Sequence, residues 1–182
     1  MDKTEKKILD AALKIFAERG YDGAKTKLIA KESGFTEMTL FRKFGSKENL
    51  FHTVLMVNYD RITADIVQIF SQPLDESQDQ LKFLIEAAIE MEDKNFEYVK
   101  ILITENHNTS ETVLINGVNN LGKFLETAAP GAGIDYKVLA FNIMAFAYFI
   151  IFNKRQGCPF VDYEVAVQEF IKYTTQCLKK MD

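Results

Sequence analysis

The chain has 182 residues, 47% of them apolar, with 22 Lys and Arg against 26 Asp and Glu, a net charge of −4. That is enough for one ordinary domain, or for a small module on a larger body, and it excludes a chain too poor in apolar residues to build a core. Its two cysteines, Cys158 and Cys177, rule out a disulfide framework or a paired-cysteine metal knuckle and suit reduced, cytosolic thiols.

All three prolines, Pro73, Pro130 and Pro159, lie after residue 70, and Val- and Thr-rich alternating runs are scarce. An all-α protein is expected. The N-terminus runs straight into an amphipathic pattern, without the apolar segment and small-residue cleavage site of a signal peptide, so secretion is not expected. Ile8, Leu9, Ala12, Leu13, Ile15 and Phe16 recur at helical spacing and Gly20 follows as a stop, which predicts a first helix over about residues 4–19. A second, over about 26–33, carries Ile29 and Ala30 inward and ends at Gly34, a residue free to take the positive φ of a sharp turn. Thr36 then stands at an N-cap position, with Phe35 and Leu40 spaced as a hydrophobic staple, and a third helix is predicted over about 37–44. Ser46 caps a long fourth helix that follows Leu50, Val54, Val57, Ile62, Ile66 and Ile69 to about Phe70.

Further helices are expected over about 76–92, 95–106, 110–128, 135–153 and 162–180, separated by the Pro130-Gly131-Ala132-Gly133 loop and the Arg155–Pro159 turn. The longest apolar run, Val138 to Phe152, is broken only by Asn142 and is shorter than the roughly 20 residues that span a bilayer. It reads as a buried helix, and no membrane partner is expected. Charge is uneven: residues 1–50 carry a net +3 and the remainder −7. A basic head on an acidic body suits a protein whose first fifty residues meet phosphate.

The second and third helices have the steric marks of a helix-turn-helix. Ala30 is small where the helices cross, Gly34 accepts the turn, and Leu40 with Phe44 faces inward at i, i+4 spacing. Thr36, Glu37, Met38, Thr39, Phe41 and Arg42 are then directed to other surroundings and are candidates for base contact in a major groove. Arg42 suits guanine O6 and N7, Glu37 a cytosine amino group, and Thr39 or Met38 a thymine methyl. Lys25, Lys27, Lys43 and Lys47 suit phosphates.

Several segments together carry a family resemblance: Ile8-Leu9-Asp10-Ala11-Ala12-Leu13, Phe16-Ala17-Glu18-Arg19-Gly20-Tyr21, Ile29-Ala30, Gly34, Thr39-Leu40-Phe41 and Phe44-Gly45-Ser46-Lys47-Glu48-Asn49-Leu50-Phe51. The stretch from Ile8 to Phe51 resembles the N-terminal domain of TetR-family transcriptional regulators. The resemblance implies an all-α homodimer whose heads bind neighbouring major grooves of a near-palindromic operator, usually as a repressor. It also implies a body that dimerises and binds a small-molecule inducer. The family commonly has Tyr at the position of Phe41, His at that of Lys43, and Thr or Ser before the second helix, where this chain has Ala24 and Lys25. A DNA-binding head over residues 1–50 and a ligand-binding and dimerisation body over 51–182 are therefore expected.

The eighth helix is apolar on nearly all sides and the ninth is amphipathic, a pair fit to form a four-helix bundle with a second copy. Phe83, Met91, Phe96, Tyr98, Phe124, Phe141, Met144 and Tyr148 are the bulky candidates to line an inducer pocket. The Glu105-Asn106-His107-Asn108 cluster reads as a helix end rather than a ligand or metal site. No cofactor, metal or catalytic residue is expected: phosphate loop, HExxH pattern and nucleophile elbow are all missing, and His52 and His107 are the only histidines. An activator, a regulator without ligand, and an all-α carrier or enzyme with an apolar cavity are the alternative readings.

Overall fold

The computed structural model describes residues 1–70, 80–105, 108–128, 130 and 133–179, with the side chains of 67–70, 108–110, 128 and 177–179 left out of account. Among the described residues there are nine helices: α1 (Lys3–Gly23), α2 (Thr26–Ser33), α3 (Glu37–Phe44), α4 (Lys47–Phe70), α5 (Gln80–Lys94), α6 (Phe96–Thr104), α7 (Asn108–Ala128), α8 (Tyr136–Lys154) and α9 (Tyr163–Lys179). The all-α expectation holds. The expected start of α5, near residue 76, and the His107 cluster apart from Glu105 lie outside the described residues or side chains.

The chain forms two compact units, residues 1–66 with 97–113, and residues 67–96 with 114–182. In the first, Ile8, Ala12, Phe16, Ile29, Leu40, Leu50, Val54 and Leu55 are almost entirely buried. Phe51 meets Phe16 edge-on at 4.9 Å and Tyr21 at 5.0 Å, so the start of α4 is packed onto α1 by aromatic edges.

Helix α1 differs from the sequence expectation at both ends. It opens with a capping box: Asp2 Oδ1 accepts the Glu5 amide at 2.8 Å, and Glu5 Oε2 accepts the Asp2 amide at 2.9 Å. At its far end Gly20 breaks the helix with φ 68° and ψ 173°, and one further turn follows to Gly23. A Cβ built on Gly20 would lie 2.8 Å from Glu105 Oε1, so glycine here serves a close approach as well as a kink.

The second unit is a helical core in which α5 packs along α8, and α9 packs on both. Leu84, Ile85, Ala140, Ile143, Ala147 and Ile151 form its interior. Phe146 of α8 stacks flat on Phe170 of α9 at 3.9 Å. Asp135 caps α8, accepting from the Lys137 and Val138 amides. Asn153 ties down the loop beyond α8, donating to the Val161 carbonyl and accepting from the Phe160 and Val161 amides.

The nineteen residues of α8 are long and apolar enough to cross a membrane by length and composition alone. In the single chain one face of α8 is core, while Val138, Phe141 and Phe149 are 54%, 61% and 63% exposed, more apolar surface than its own unit covers.

Candidate nucleic-acid interface

The turn between α2 and α3 is built by glycine. Gly34 adopts φ 77° and ψ 19°, its amide donates to the Lys31 carbonyl, and the Phe35 amide reaches back to the Ala30 carbonyl at 2.9 Å. This paired closure satisfies the last carbonyls of α2 and reverses the chain within three residues. Thr36 then opens α3, its hydroxyl accepting the Thr39 amide at 3.2 Å. Leu40 is fully buried, Ala30 is 4% exposed where α2 meets its neighbours, and Phe44 is half-buried. The same pattern recurs after α3, where Gly45 turns the chain and the Ser46 hydroxyl accepts the Asn49 amide at 3.0 Å to cap α4.

With Leu40 anchored, the rest of α3 divides. Thr36, Met38, Phe41 and Arg42 are exposed, Met38 to 82%, whereas Glu37 and Thr39 are half-buried. Glu37 Oε1 accepts a hydrogen bond from the Thr26 hydroxyl at 2.6 Å, so this carboxylate pins α3 to the first turn of α2. The Thr39 hydroxyl lies 3.1 Å from that of Thr36. The freest side chains of the six base-contact candidates are therefore Met38, Phe41 and Arg42.

The cations also separate. Lys25 and Lys27 are exposed at the start of α2, and Lys25, the N-cap residue, makes no side-chain cap bond. Lys47 is half-buried, its ammonium 4.5 Å over the Tyr21 ring. Lys43 is engaged by carboxylates at the other end of the head, donating to Asp2 Oδ2 and to Glu5 Oε1 at 3.2 Å. Asp2 is held below the usual carboxylate range by Lys43 first and the Glu5 amide next. Glu5 is held down by the Asp2 amide first, then Lys43. Lys43 is correspondingly raised by both carboxylates.

Sequence reasoning missed Asp2, Glu5 and Thr26. The first two had a signal, Asp-x-x-Glu just ahead of an apolar stripe; the pairing of Thr26 with Glu37 had none, because it joins two helices.

The pocket candidates are not brought together as one group. Tyr98 belongs to the first unit and is 1% exposed, its hydroxyl buried without a hydrogen-bond partner. The other seven lie in the second unit. There Phe96 stacks on Tyr148 at 5.8 Å, Met144 lies over Gly117, and Phe141 faces outward. Phe83, Met91 and Phe124 are half-buried.

A small helical head presenting one exposed helix, held by a glycine turn and two hydroxyl caps, defines a helix-turn-helix protein. Residues 8–54 match the family model described as bacterial regulatory proteins, tetR family, so the head is of the type found in those transcriptional regulators. The chain is 31% identical over 108 residues to the HTH-type transcriptional repressor NicS of Pseudomonas putida, covering 58% of this chain and 49% of that protein. It is 33% identical over 96 residues to YuxN, an uncharacterized HTH-type transcriptional regulator of Bacillus subtilis, covering 51% of this chain and 33% of that one. The chain thus spans half or less of the length of the curated relatives it matches. A TetR-like transcriptional regulator from Rhodococcus sp. RHA1 superimposes with a TM-score of 0.76 at 16% identity, over 97% of this chain and 96% of that one, a likeness of fold.

Proposed function

We propose that the protein is a cytoplasmic, ligand-responsive transcriptional repressor that binds a near-palindromic DNA operator as a homodimer and is released by a small-molecule inducer. The observation that carries the DNA-binding part is the head: an exposed Arg42, with Met38 and Phe41, on a short helix whose other faces are fixed by Leu40, Glu37 and Thr36. A free guanidinium on a helix fixed by its other side chains is the geometry for guanine recognition, and exposed Lys25 and Lys27 at the start of α2 suit phosphates. Repression rather than activation is supported by the naming of NicS as a repressor.

Dimerisation is supported by the second unit. Val138, Phe141 and Phe149 of α8 and Val165 and Tyr173 of α9 are large apolar side chains left exposed. Val138 and Tyr173 also line a groove of about 430 Å³, together with Ile134, Leu139 and Phe170 and the polar Asp135, Asn142 and Thr174. A second copy of the same pair of helices is the occupant that covers such a face. An inducer acts only through different affinity for two body conformations, one of which spaces the heads wrongly for successive grooves roughly 34–36 Å apart.

The test is selection of bound fragments from source-genome DNA with purified protein at physiological salt. Enrichment of an inverted repeat supports the reading; no enrichment from a ligand-free preparation sinks it. On the selected site, Arg42→Ala is expected to cost about 1–3 kcal/mol and to relax preference at one base pair per half-site. Lys47→Ala is expected to weaken all sequences alike and flatten the salt dependence.

A further inference from the structure

Helix α5 turns one face to the interior of the second unit, and the buried residues of that face follow helical register through Leu81, Leu84, Ile85, Ala88 and Ile89. The next position of the stripe is Glu92. It is as buried as the leucines before it, at 4% exposure, and its Oε2 atom is shut off from water with no hydrogen-bond partner. An apolar residue would complete the stripe at no desolvation cost, so a carboxyl with a buried, unpaired oxygen costs the core stability that a cationic partner would restore.

The cations of this end of the unit are committed elsewhere. Arg155 donates to Asp93 Oδ1 at 2.7 Å and to the Asp93 carbonyl at 2.8 Å, and the Lys154 ammonium is 3.5 Å from Asp93 Oδ2. Asp93 points to the outer groove, which α9 closes with Tyr163 and Glu164, and it is held below the usual carboxylate range by Arg155. Glu92, the residue before it, points inward and receives neither cation; burial alone pushes its carboxyl up to about 8. From α8 it is faced by Tyr148, whose phenol is raised by burial and then by the Glu92 charge.

Tyr148, which faces that carboxyl, is itself set among aromatic rings. Tyr148 stacks on Phe96 at 5.8 Å and meets Phe149 edge-on at 5.5 Å. The Arg155 guanidinium already lies over the Phe96 ring, 4.6 Å from its centroid, so a cation sits on this aromatic wall in the free protein. A buried, unmatched carboxyl beside aromatic faces is recognition chemistry for positive charge on an apolar body.

We propose that Glu92, with Tyr148 and Phe96, is the charge-reading element of a ligand site in the second unit, and that the ligand it takes is an organic cation, an ammonium or amidinium carried on an apolar group. This rests on the ligand-responsive reading above and narrows it to one chemical class. The ammonium pairs with the Glu92 carboxylate while the apolar part lies along the rings. Glu92 is largely protonated in the free protein at neutral pH, so binding a cation expels its proton to solvent.

The experiment is calorimetric titration of the whole protein, free of DNA, with phenylethylamine, phenylbutylamine and phenylhexylamine, each against its matching alcohol and carboxylate, in buffers of differing ionisation enthalpy. At least one amine is expected to bind about tenfold or more tightly than its alcohol, with its carboxylate weaker still. Roughly one proton is expected to leave per amine bound at neutral pH. Glu92→Gln is expected to abolish both the preference and the proton release. Glu92→Leu, which completes the apolar stripe, does the same while melting no lower than the parent, and so controls for misfolding. Equal binding of amines and alcohols, no binding by any of the series, or a preference retained in Glu92→Gln overturns the proposal. Operator binding by the same preparation is measured separately, so loss of the DNA-binding reading and loss of this one are distinguishable.

Discussion

Lys43 stands near the end of the helix that presents Arg42, and its ammonium is held between two carboxylates, Asp2 and Glu5, that also cap α1. One small cluster therefore does two jobs: it closes the first turn of α1, and it ties that turn to α3. The same two carboxylates occupy a cation that a DNA phosphate would otherwise attract. Replacing them by Asp2→Asn with Glu5→Gln frees Lys43, and DNA affinity is expected to rise with a salt slope steeper by about 1, read from binding isotherms at several salt concentrations. Lys43→Ala added to that pair should cancel the gain. Because both carboxyls are held low, the contact persists above the unfolded carboxylate range and is lost only as pH falls through the depressed values. An unchanged salt slope would mean that Lys43 never faces phosphate.

At the scale of elements, the head owes its geometry to two glycine turns and three side-chain caps. Nothing lies within 4 Å of a Cβ built on Gly34, so the demand for glycine there is purely its positive φ of 77°. Gly34→Ala is accordingly expected to cost about 1–2 kcal/mol in chemical denaturation, and Gly34→Asn clearly less, since Asn tolerates left-handed backbone. Equal losses would place the cost in contacts rather than in backbone strain. Gly20 is a different case, because its positive φ coincides with Glu105 pressed against it. Elsewhere Gly117 and Gly122 let α7 approach Met144 and the start of α8. The sequence marks Gly20 and Gly34 as helix stops, but the close approaches at Gly20, Gly117 and Gly122 depend on residues distant in the chain and have no local signal.

At the scale of the whole molecule, the proposed dimer is tested on one partly uncovered apolar face. Val138 and Val165 are both more than half exposed, on α8 and α9 respectively. Val138→Glu with Val165→Glu is expected to convert a dimer into a monomer in light scattering, with the helical circular dichroism retained and operator affinity greatly reduced, because a single head loses the second half-site. A protein that is monomeric before mutation would remove the dimeric reading altogether. The basic first fifty residues and the acidic remainder fit the same division of labour, one part meeting phosphate and the other not.

The sequence by itself determined the helices and the head. Caps such as Thr36, Ser46 and Asp135, stops such as Gly34, and the 3.6-residue stripes are local signals whose physics acts within one or two turns, so α2 and α3 fall where the pattern places them. The tertiary structure alone decided what depends on residues distant in sequence: that Lys43 is taken by Asp2 and Glu5, that Glu37 binds Thr26, that Tyr98 lies in the first unit, and that α8 leaves a face uncovered. Glu92 lies between these cases. Its place in the stripe of α5 could be counted from the sequence, but whether a cation waited opposite it could be known only once α8 was packed in place, because charge pairing is settled between elements and not along them.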